Sequence, residues 1–227
     1  DAEDLVDRIV KTNGDHVVQA RMYCALLERY RRMAQRANRD LYRGETKRSI
    51  ELAARLRDAF GDVDGPFGQM TMREYAEREL YELTHLQVGQ AAPETIGSDL
   101  AGKPMSLSEF RGKIVVLGFR WSAENDHIVS DLDELNGYFQ ETYPEKVAVI
   151  AVCDDVSRES ALTKSKSIPM SFRSWHDGPD GPIKTQWNNR SWPCMHVIDA
   201  KGVIRFKSLR GLSETGPAVE SLLTATR

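Results

Sequence analysis

The chain has 227 residues, of which 41% are hydrophobic and 29% are charged. It is therefore long enough to bury a core as one large domain or as two modest ones. Its net charge of -3 gives no reason to expect nucleic acid or an anionic membrane as a partner. No apolar run reaches the roughly 20 residues that a membrane-spanning helix needs, so we expect a globular protein without a membrane span.

The first part of the chain has a helical pattern. Apolar residues recur there at three- and four-residue spacings, which is the period of one face of an α-helix. The three stripes are Tyr23, Leu26, Leu27, Tyr30, Met33 and Ala34; Leu52, Ala53, Leu56 and Phe60; and Met72, Ala76, Leu80 and Leu83. The pattern predicts a small all-α domain of three or four helices over 1–86 and a second domain over 87–227.

After residue 86 the apolar residues fall in short β-rich runs. IVVLGF at 114–119 and VAVIAV at 147–152 are continuous apolar strings, as expected for parallel strands covered on both faces. The interval 120–146 contains a helical stripe, so it predicts a β-α-β unit. The members of that stripe are Val129, Leu132, Leu135 and Phe139.

Two further runs, MHVID and VIRF, flank a tight turn at Asp199-Ala200-Lys201-Gly202. Glycine at the end of this turn supplies a positive φ, so the runs predict an antiparallel hairpin. Residues 213–226 then predict a closing helix. A β-α-β unit followed by a second helical interval, a hairpin and a helix is the element order of a thioredoxin-like domain.

Two sequence blocks in this half resemble the redoxin family, which includes alkyl hydroperoxide reductase and thiol-specific antioxidant relatives and thiol-disulfide reductases. The first, VGQAAPETIGSDLAGKPMSLSEFRGKIVVLGF, begins at Val88, and the second is WNNRSWPCMHVIDAKGVIRF. The matching positions are Val88-Gly89, Ala92-Pro93, Asp99-Leu100, Gly102-Lys103, Leu107-Ser108, Arg111-Gly112-Lys113 and the proline, aspartate and glycine of the second block. The resemblance implies an α/β thioredoxin-like domain, a central mixed sheet flanked by helices, after the helical domain.

The family's reactive cysteines are absent from their usual place. In that family the strand resembling IVVLGF leads to a Cys-x-x-Cys, or to one peroxidatic cysteine, at the start of the next helix, where the helix dipole favours a thiolate. Residues 120–127 read RWSAENDH, and a gapless alignment puts Glu124 and His127 at the two cysteine positions. Dithiol exchange therefore cannot be carried over onto this chain.

We interpret Glu124, Asn125 and Asp126 first as residues that cap and stabilise a helix N-terminus. The alternative is a metal site formed by His127, Asp126 or Glu124 with Cys194 across the cleft. No ligand spacing in the sequence marks a particular metal. We expect no cofactor and keep the metal site as a minor alternative.

The second block contributes Trp192, Pro193 and Cys194. The resemblance places Pro193 at the cis-proline that faces the family's thiol site, so we expect a cis bond before it. Cys194 is the best remaining candidate for redox chemistry. Trp121, Glu124–His127 and Trp192–Cys194 together form what we call the degenerate corner.

The other cysteines, Cys153 and Cys24, are interpreted as small buried residues. Cys153 follows the second strand, and we expect it to lie two strand spacings from Cys194, too far for a disulfide. The tryptophans are interpreted as core or cleft residues, and His196 carries no motif and is taken as an ordinary residue.

The sequence leaves two alternative hypotheses for the function of the protein. The first is a non-catalytic thioredoxin-like module that binds another protein or supports an assembly. The second is a thiol-disulfide oxidoreductase or antioxidant protein acting through Cys194. The resemblance and the absence of an initial methionine also lead us to expect export, to the periplasm or outside the cell. The sequence leaves the oligomeric state open.

Overall fold

The computed structural model describes residues 2–36, 43–66, 68, 70–121, 126–166, 170–190 and 194–225. At 34–36, 43–45, 120–121, 126–128 and 164 it describes the backbone alone. The chain divides into two compact units, Asp1–Thr84 and His85–Arg227, which are described separately below.

Among the described residues of the first unit, every regular secondary-structure element is a helix. The helices are α1 (Ala2–Thr12), α2 (His16–Arg36), α3 (Arg43–Ala59) and α4 (Met72–His85). Residues from all three predicted stripes are buried in one core, including Leu27, Leu56 and Ala76.

Two of these helices begin where polar side chains take up their first N–H groups. The Asp15 carboxylate accepts the backbone N–H groups of Val17 and Val18 at 2.8 and 3.1 Å. Before α4, Thr71 and Glu74 form a reciprocal pair in which the Thr71 N–H donates to the Glu74 carboxylate at 2.7 Å and the Glu74 N–H donates to Thr71 Oγ1 at 3.2 Å. Such caps satisfy donors that the helix itself leaves without acceptors.

The second unit has the predicted α/β architecture. Its strands are β1 (Ile96–Ser98), β2 (Pro104–Ser106), β3 (Ile114–Trp121), β4 (Val147–Cys153), β5 (Arg173–His176), β6 (Cys194–Ile198) and β7 (Ile204–Leu209). Its helices are α5 (Asp126–Thr142), α6 (Arg158–Ser165), α7 (Pro182–Gln186) and α8 (Leu212–Ala225), with a 3₁₀ turn at Leu107–Phe110. The described strands form an antiparallel pair, β1-β2, and a five-stranded sheet in the order β5-β4-β3-β6-β7.

The register of the sheet confirms the predicted pairings. β3 runs parallel to β4, with Ile114 beside Val147, and antiparallel to β6, with Phe119 beside Cys194. β6 and β7 form the predicted hairpin, in which Gly202 has a φ of +82°. The interval after β3 forms α5, and the closing helix is α8.

The two faces of the sheet bury different sets of residues. On one face, β3, β4 and β6 share a core with helical residues such as Leu132 and Val219, to which Cys153, Met195 and Val197 belong. Because side chains alternate along a strand, Cys194 and His196 point to the other face. Trp187, whose ring contacts Phe119 and His196, packs on that second face.

Residues of two motifs that resemble the family pattern lie at tight turns in this unit. Asp99 accepts the Lys103 N–H at 2.9 Å through its side chain, which closes the turn between β1 and β2. The Arg111 guanidinium lies so close over Gly202 that an added Cβ would be 1.4 Å from Nη1. The motif residues therefore account for two tight turns without reference to catalysis.

The sequence pattern did not predict β5 or the β1-β2 pair. β5 has only four residues, and its two ends, Arg173 and His176, are polar and partly buried. Strands this short give little alternation to detect. Trp175, in the middle of β5, is fully buried, which agrees with its predicted role as a packing residue.

Candidate functional site

The degenerate corner lies where β3 leads to α5 and where β6 begins. The backbone of β3 ends at Trp121 and that of α5 begins at Asp126. Glu124, Asn125, Trp192 and Pro193 lie outside the described residues, as do the side chains of Trp121, Asp126 and His127. The capping, metal and cis-proline predictions on these residues therefore stay predictions.

Cys194 is the corner residue whose side chain the structure describes. It is the first residue of β6 and sits beside Phe119, near the carboxyl end of the central strand. Only 3% of its surface is exposed. The Cys194 side chain therefore lies inside the fold, and its role as a site residue stays a prediction.

The imidazole of His196 lies beside this thiol. Its Nε2 lies 3.7 Å from the Cys194 sulfur, and His196 is itself 3% exposed. The two residues are separated by one position on β6, which places them on the same face of the strand. A nucleophile and an imidazole are thus side by side in the interior.

The other ring nitrogen of His196 has a fixed role. The backbone N–H of Ser208 donates to Nδ1 at 3.2 Å, so Nδ1 is an acceptor and carries no proton. A neutral imidazole has one N–H, and this tautomer, assigned from the hydrogen bonds, carries it on Nε2. The proton on the ring therefore faces the Cys194 sulfur.

A β-bulge on β7 creates the Ser208 contact. β7 places Lys207 and Ser208 together opposite His196, between the pairs formed by Met195 and Val197. Ser208 adopts a φ of +55°, in the left-handed region that non-glycine residues seldom occupy. The bulge turns a backbone donor, which would otherwise belong to the sheet ladder, toward the histidine ring.

Aromatic rings fix the plane of the imidazole. Trp187 stacks on His196, with ring centroids 5.4 Å apart and planes 18° apart, and Phe119 meets the imidazole edge-on at 5.5 Å. The Trp187 indole N–H donates to Thr95 Oγ1 at 2.9 Å, which anchors the indole in turn. Because of this packing, the imidazole ring has little room to flip and exchange the positions of its two nitrogens.

The short helix α7, which directly precedes Trp187, positions this residue. The Asp177 carboxylate accepts the N–H groups of Ile183 and Lys184 at 3.0 and 2.8 Å, and α7 ends at Gln186, directly before Trp187. One carboxylate thus fixes the helix that brings the indole onto the sheet.

The three cysteines all lie within the described residues and are buried, and none is in a disulfide. Cys153 pairs in register with Trp121 and belongs to the core beside α5. It therefore lies on the opposite face from Cys194, with β3 between their strands, about 9–10 Å away by strand spacing alone. Cys24 lies in the helical unit. The prediction that Cys153 and Cys194 form no disulfide is confirmed.

Polar groups at the carboxyl ends of β4 and β5 have contacts with their own loops. His176 Nε2 lies 3.1 Å from the Asp155 carbonyl oxygen, and the Lys184 ammonium lies 4.0 Å from the Asp154 carboxylate. Within the described residues, no group of three or more His, Cys, Asp or Glu side chains could hold a metal ion.

The sequence did not predict that His196 and Ser208 belong to the candidate site. His196 carries no sequence motif, although its spacing of two from Cys194 in a predicted strand indicates a shared face. Ser208 contributes through its backbone N–H at a bulge, for which its side chain gives no signal.

No helix in the described parts of the chain combines the length and hydropathy needed to cross a bilayer.

Comparison with known proteins agrees with this architecture. A profile of the AhpC/TSA family matches residues 88–207. The Thioredoxin-like protein YneN of Bacillus subtilis (strain 168) is 27% identical over 146 residues, which cover 62% of this chain and 80% of that protein.

Solved structures of similar fold include thiol-disulfide oxidoreductases. The thioredoxin domain of one from Bacteroides vulgatus superposes with a TM-score of 0.52 at 21% identity, covering 60% of this chain and 98% of that one. One from Bacteroides fragilis NCTC 9343 gives a TM-score of 0.52 at 22% identity, covering 59% and 100%. At this level of identity the likeness establishes the fold alone.

The mixed sheet, its flanking helices and the β6-β7 hairpin define a thioredoxin-like α/β protein that carries an additional helical unit. The chain belongs to the AhpC/TSA family, as the profile match over more than half its length establishes. The predicted family and fold class are thus confirmed.

Proposed function

We propose that this protein is a non-catalytic thioredoxin-like module that binds another protein or supports an assembly. The observation that carries the proposal is the separation of its thiols. Dithiol exchange needs a second sulfur within about 7 Å, measured between Cα atoms. Cys194 and Cys153, the two cysteines of the second unit, lie on opposite faces of the sheet.

The family scaffold supports this proposal because it is retained while the reactive positions are replaced. The central strand, the helix after it and the hairpin are all present, whereas Glu124 and His127 occupy the two cysteine positions in the alignment. A scaffold of this kind can present a surface to a protein without any sulfur chemistry.

The test is a pair of turnover assays on the full chain: dithiol-dependent reduction of a protein disulfide, and consumption of hydrogen peroxide. We expect neither rate to exceed the rate without protein. Sustained turnover that disappears in Cys194→Ser would contradict the proposal and establish the alternative.

A gain-of-function variant provides the matched control. Glu124→Cys combined with His127→Cys restores the Cys-x-x-Cys spacing on the same scaffold. We expect this double variant to reduce the protein disulfide measurably, because the scaffold that positions such a pair is present. Activity in the double variant beside inactivity in the wild type would show that the missing thiols, and not a damaged fold, explain the lack of turnover.

The second candidate function, a thiol-disulfide oxidoreductase or antioxidant protein acting through Cys194, is favoured by the Nε2 of His196 at 3.7 Å from the sulfur. Two features count against it. A sulfur that is 3% exposed gives a protein disulfide no line of attack, and His196 already carries its proton on Nε2, so it cannot act as a general base for the thiol.

We further propose that the protein is exported, to the periplasm or outside the cell, as the resemblance to thiol-disulfide proteins implies. Fractionation of the source cells, with cytoplasmic and periplasmic marker proteins as controls, tests this. Recovery with the cytoplasmic marker would contradict it.

A further inference from the structure

We propose that Asn13 is a site of spontaneous deamidation in the folded protein. The backbone nitrogen of Gly14 attacks the Asn13 side-chain amide, and water completes the conversion to aspartate and isoaspartate. The two residues lie in the turn between α1 and α2 of the helical unit. The modification goes beyond the proposed binding role, does not depend on it and involves no cysteine.

The sequence supplies the first observation. Asparagine is followed by glycine twice, at Asn13-Gly14 and at Asn136-Gly137. Glycine favours attack on the preceding asparagine because it has no Cβ to hinder the approach of its nitrogen to Cγ. The dipeptide alone would make the two sites equally reactive, so the local structure decides between them.

The turn holds the Asn13 side chain in a reactive arrangement. Asn13 and Gly14 are both exposed, and the backbone N–H of Asp15 donates to Asn13 Oδ1 at 2.8 Å. This hydrogen bond closes a ring that contains both reacting atoms, Asn13 Cγ and the Gly14 nitrogen, and keeps the side chain folded along its own backbone. Attack on Cγ puts negative charge on Oδ1, and the Asp15 N–H is already in place to stabilise it.

The Gly14 nitrogen is available for the attack. Among the hydrogen bonds of the described residues, none has the Gly14 N–H as its donor. The surrounding space is also open, since a Cβ added at Gly14 would meet nothing within 4 Å. The reaction at this turn therefore requires no hydrogen bond of the fold to break.

Asn136 has the opposite environment. Its side chain is buried, and its Nδ2 donates to the carbonyl oxygen and Oγ of Ser171 at 3.1 and 2.9 Å. Gly137 lies in the interior of α5, where each backbone N–H donates to the carbonyl four residues earlier. Attack at this site must first break these three hydrogen bonds. The same dipeptide is thus protected in α5 and exposed in the α1-α2 turn.

The reaction balances with water as the only co-reactant. The Gly14 nitrogen loses its proton to solvent and forms a bond to Asn13 Cγ, and the side-chain nitrogen gains a proton and leaves as ammonia. The product is a succinimide. Water then opens this ring at Cγ to give aspartate, or at the main-chain carbonyl to give isoaspartate, whose backbone runs through Cβ. No atom is oxidised or reduced.

Both products alter the end of α1. Each adds a negative charge directly after Thr12, the last residue of α1, where the helix dipole disfavours it. Isoaspartate also lengthens the backbone between α1 and α2 by one carbon. Since α1 packs through Val6 into the core of the helical unit, we expect the modification to loosen α1 from that core.

The two asparagines of the native protein provide the test. The full chain is incubated at neutral pH and digested, and mass spectrometry measures the conversion at each site. We expect Asn13 to convert about a hundredfold faster than Asn136, because only Asn136 must break hydrogen bonds before it reacts. Similar rates in the folded protein would overturn the inference.

The same measurement in concentrated urea separates structure from local sequence. Unfolding should accelerate Asn136 until the two rates converge, and it should not accelerate Asn13. A rate difference that persists in urea would show that neighbouring residues, and not the fold, set it. Faster conversion of Asn13 in urea than in the folded protein would show that the turn protects it. Either result would overturn the inference.

Gly14→Ala and Gly137→Ala form a matched pair of variants. At both positions an added Cβ meets nothing within 4 Å. We expect Gly14→Ala to slow conversion of Asn13 by about tenfold, because its Cβ hinders the approach of the nitrogen, and Gly137→Ala to leave the Asn13 rate unchanged. An unaffected rate in Gly14→Ala, or aspartate formed at position 13 without isoaspartate, would overturn the succinimide route.

Hydrogen exchange measures the effect on α1. Wild type and Gly14→Ala are incubated side by side, and we expect faster amide exchange in α1 of the wild type with α3 unchanged. Equal exchange in α1 would overturn the predicted loosening. Circular dichroism establishes that the variants are folded, and if Gly14→Ala fails to fold, the comparison of Asn13 with Asn136 in the wild type decides by itself.

Discussion

We expect Arg173→Met to destabilise the second unit by about 2 kcal/mol, because it removes charge-assisted hydrogen bonds from a mostly buried carboxylate. Arg173 donates from Nε and Nη2 to Asp99 Oδ2 at 3.2 and 2.9 Å, and from Nη1 to Glu109 at 2.9 Å. Asp99 comes from the turn after β1 and Glu109 from the 3₁₀ turn. The arginine thus ties the edge strand β5 to both.

The magnitude follows from the exposure of the two partners. A hydrogen bond to a charged group contributes about 1.5–3 kcal/mol when its partner is left buried. The Asp99 side chain is 10% exposed and that of Arg173 is 40% exposed, so water can replace part of the lost interaction. Arg205→Met is the matched control, because Arg205 makes a single ion-pair contact with Asp199, at 3.1 Å, and is 46% exposed. We expect this control to cost under about 1 kcal/mol.

Urea unfolding followed by tryptophan fluorescence measures the effect. All four tryptophans, Trp121, Trp175, Trp187 and Trp192, lie after residue 85, so their emission reports on the second unit without signal from the helical one. A double-mutant cycle with Asp99→Asn isolates the coupling energy between the two side chains. A coupling energy near zero, or an Arg173→Met cost no larger than that of Arg205→Met, would refute the reasoning.

The same carboxylate predicts a pH dependence. Burial raises the pKa of Asp99, but the Lys103 N–H and the Arg173 guanidinium outweigh it, and the net pKa is lowered. A lowered folded-state pKa means that the stabilisation is fully present above the unfolded-state value of about 3.9 and is lost as the pH falls through the folded-state value. The stability gap between wild type and Asp99→Asn should therefore be constant from neutral pH to about 4–5 and should shrink below it. A gap that widens on acidification would contradict this.

Three glycine substitutions test the packing, each measured by urea unfolding. Gly202→Ala should cost about 1–3 kcal/mol, because the residue has a φ of +82° and the new Cβ would lie 1.4 Å from Arg111 Nη1; a neutral result would show that the turn can rearrange. Gly118→Ala should cost about 1–3 kcal/mol by overpacking, since its Cβ would lie 2.7 Å from Leu132 Cδ1; no loss would mean that the leucine repacks freely. Gly137→Ala in α5 should instead stabilise by about 0.5–1 kcal/mol, because an added Cβ would meet nothing within 4 Å, and destabilisation would contradict this.

The sequence was sufficient for the parts of the fold that depend on long apolar runs. IVVLGF and VAVIAV are apolar runs typical of buried strands, and the spacing of Val129, Leu132 and Leu135 indicates a helix between them. The element order and the two motif blocks then identified the family. These features are encoded locally, by residue type and period.

The features that the sequence did not predict depend on tertiary geometry. Strand β5 is held in place by the contacts of Arg173 and by pairing with β4. Its four residues are too few to show the alternation of apolar and polar residues that predicts a strand. The role of His196 depends on a backbone donor that reaches it through the β7 bulge at Ser208. No residue type encodes that bulge. The spacing of two residues between Cys194 and His196 predicts that their side chains share a face of the strand. It does not predict which atom donates the hydrogen bond between them.

The opposite orientations of Cys153 and Cys194 limit the ways in which this chain could regain dithiol chemistry. No single substitution could pair with Cys153 and serve Cys194 as well, because the sheet itself stands between them. Under the proposed non-catalytic role, a Cys-x-x-Cys pair would have to be introduced at positions 124 and 127 with two new cysteines. Neither Cys153 nor Cys194 would take part in that pair.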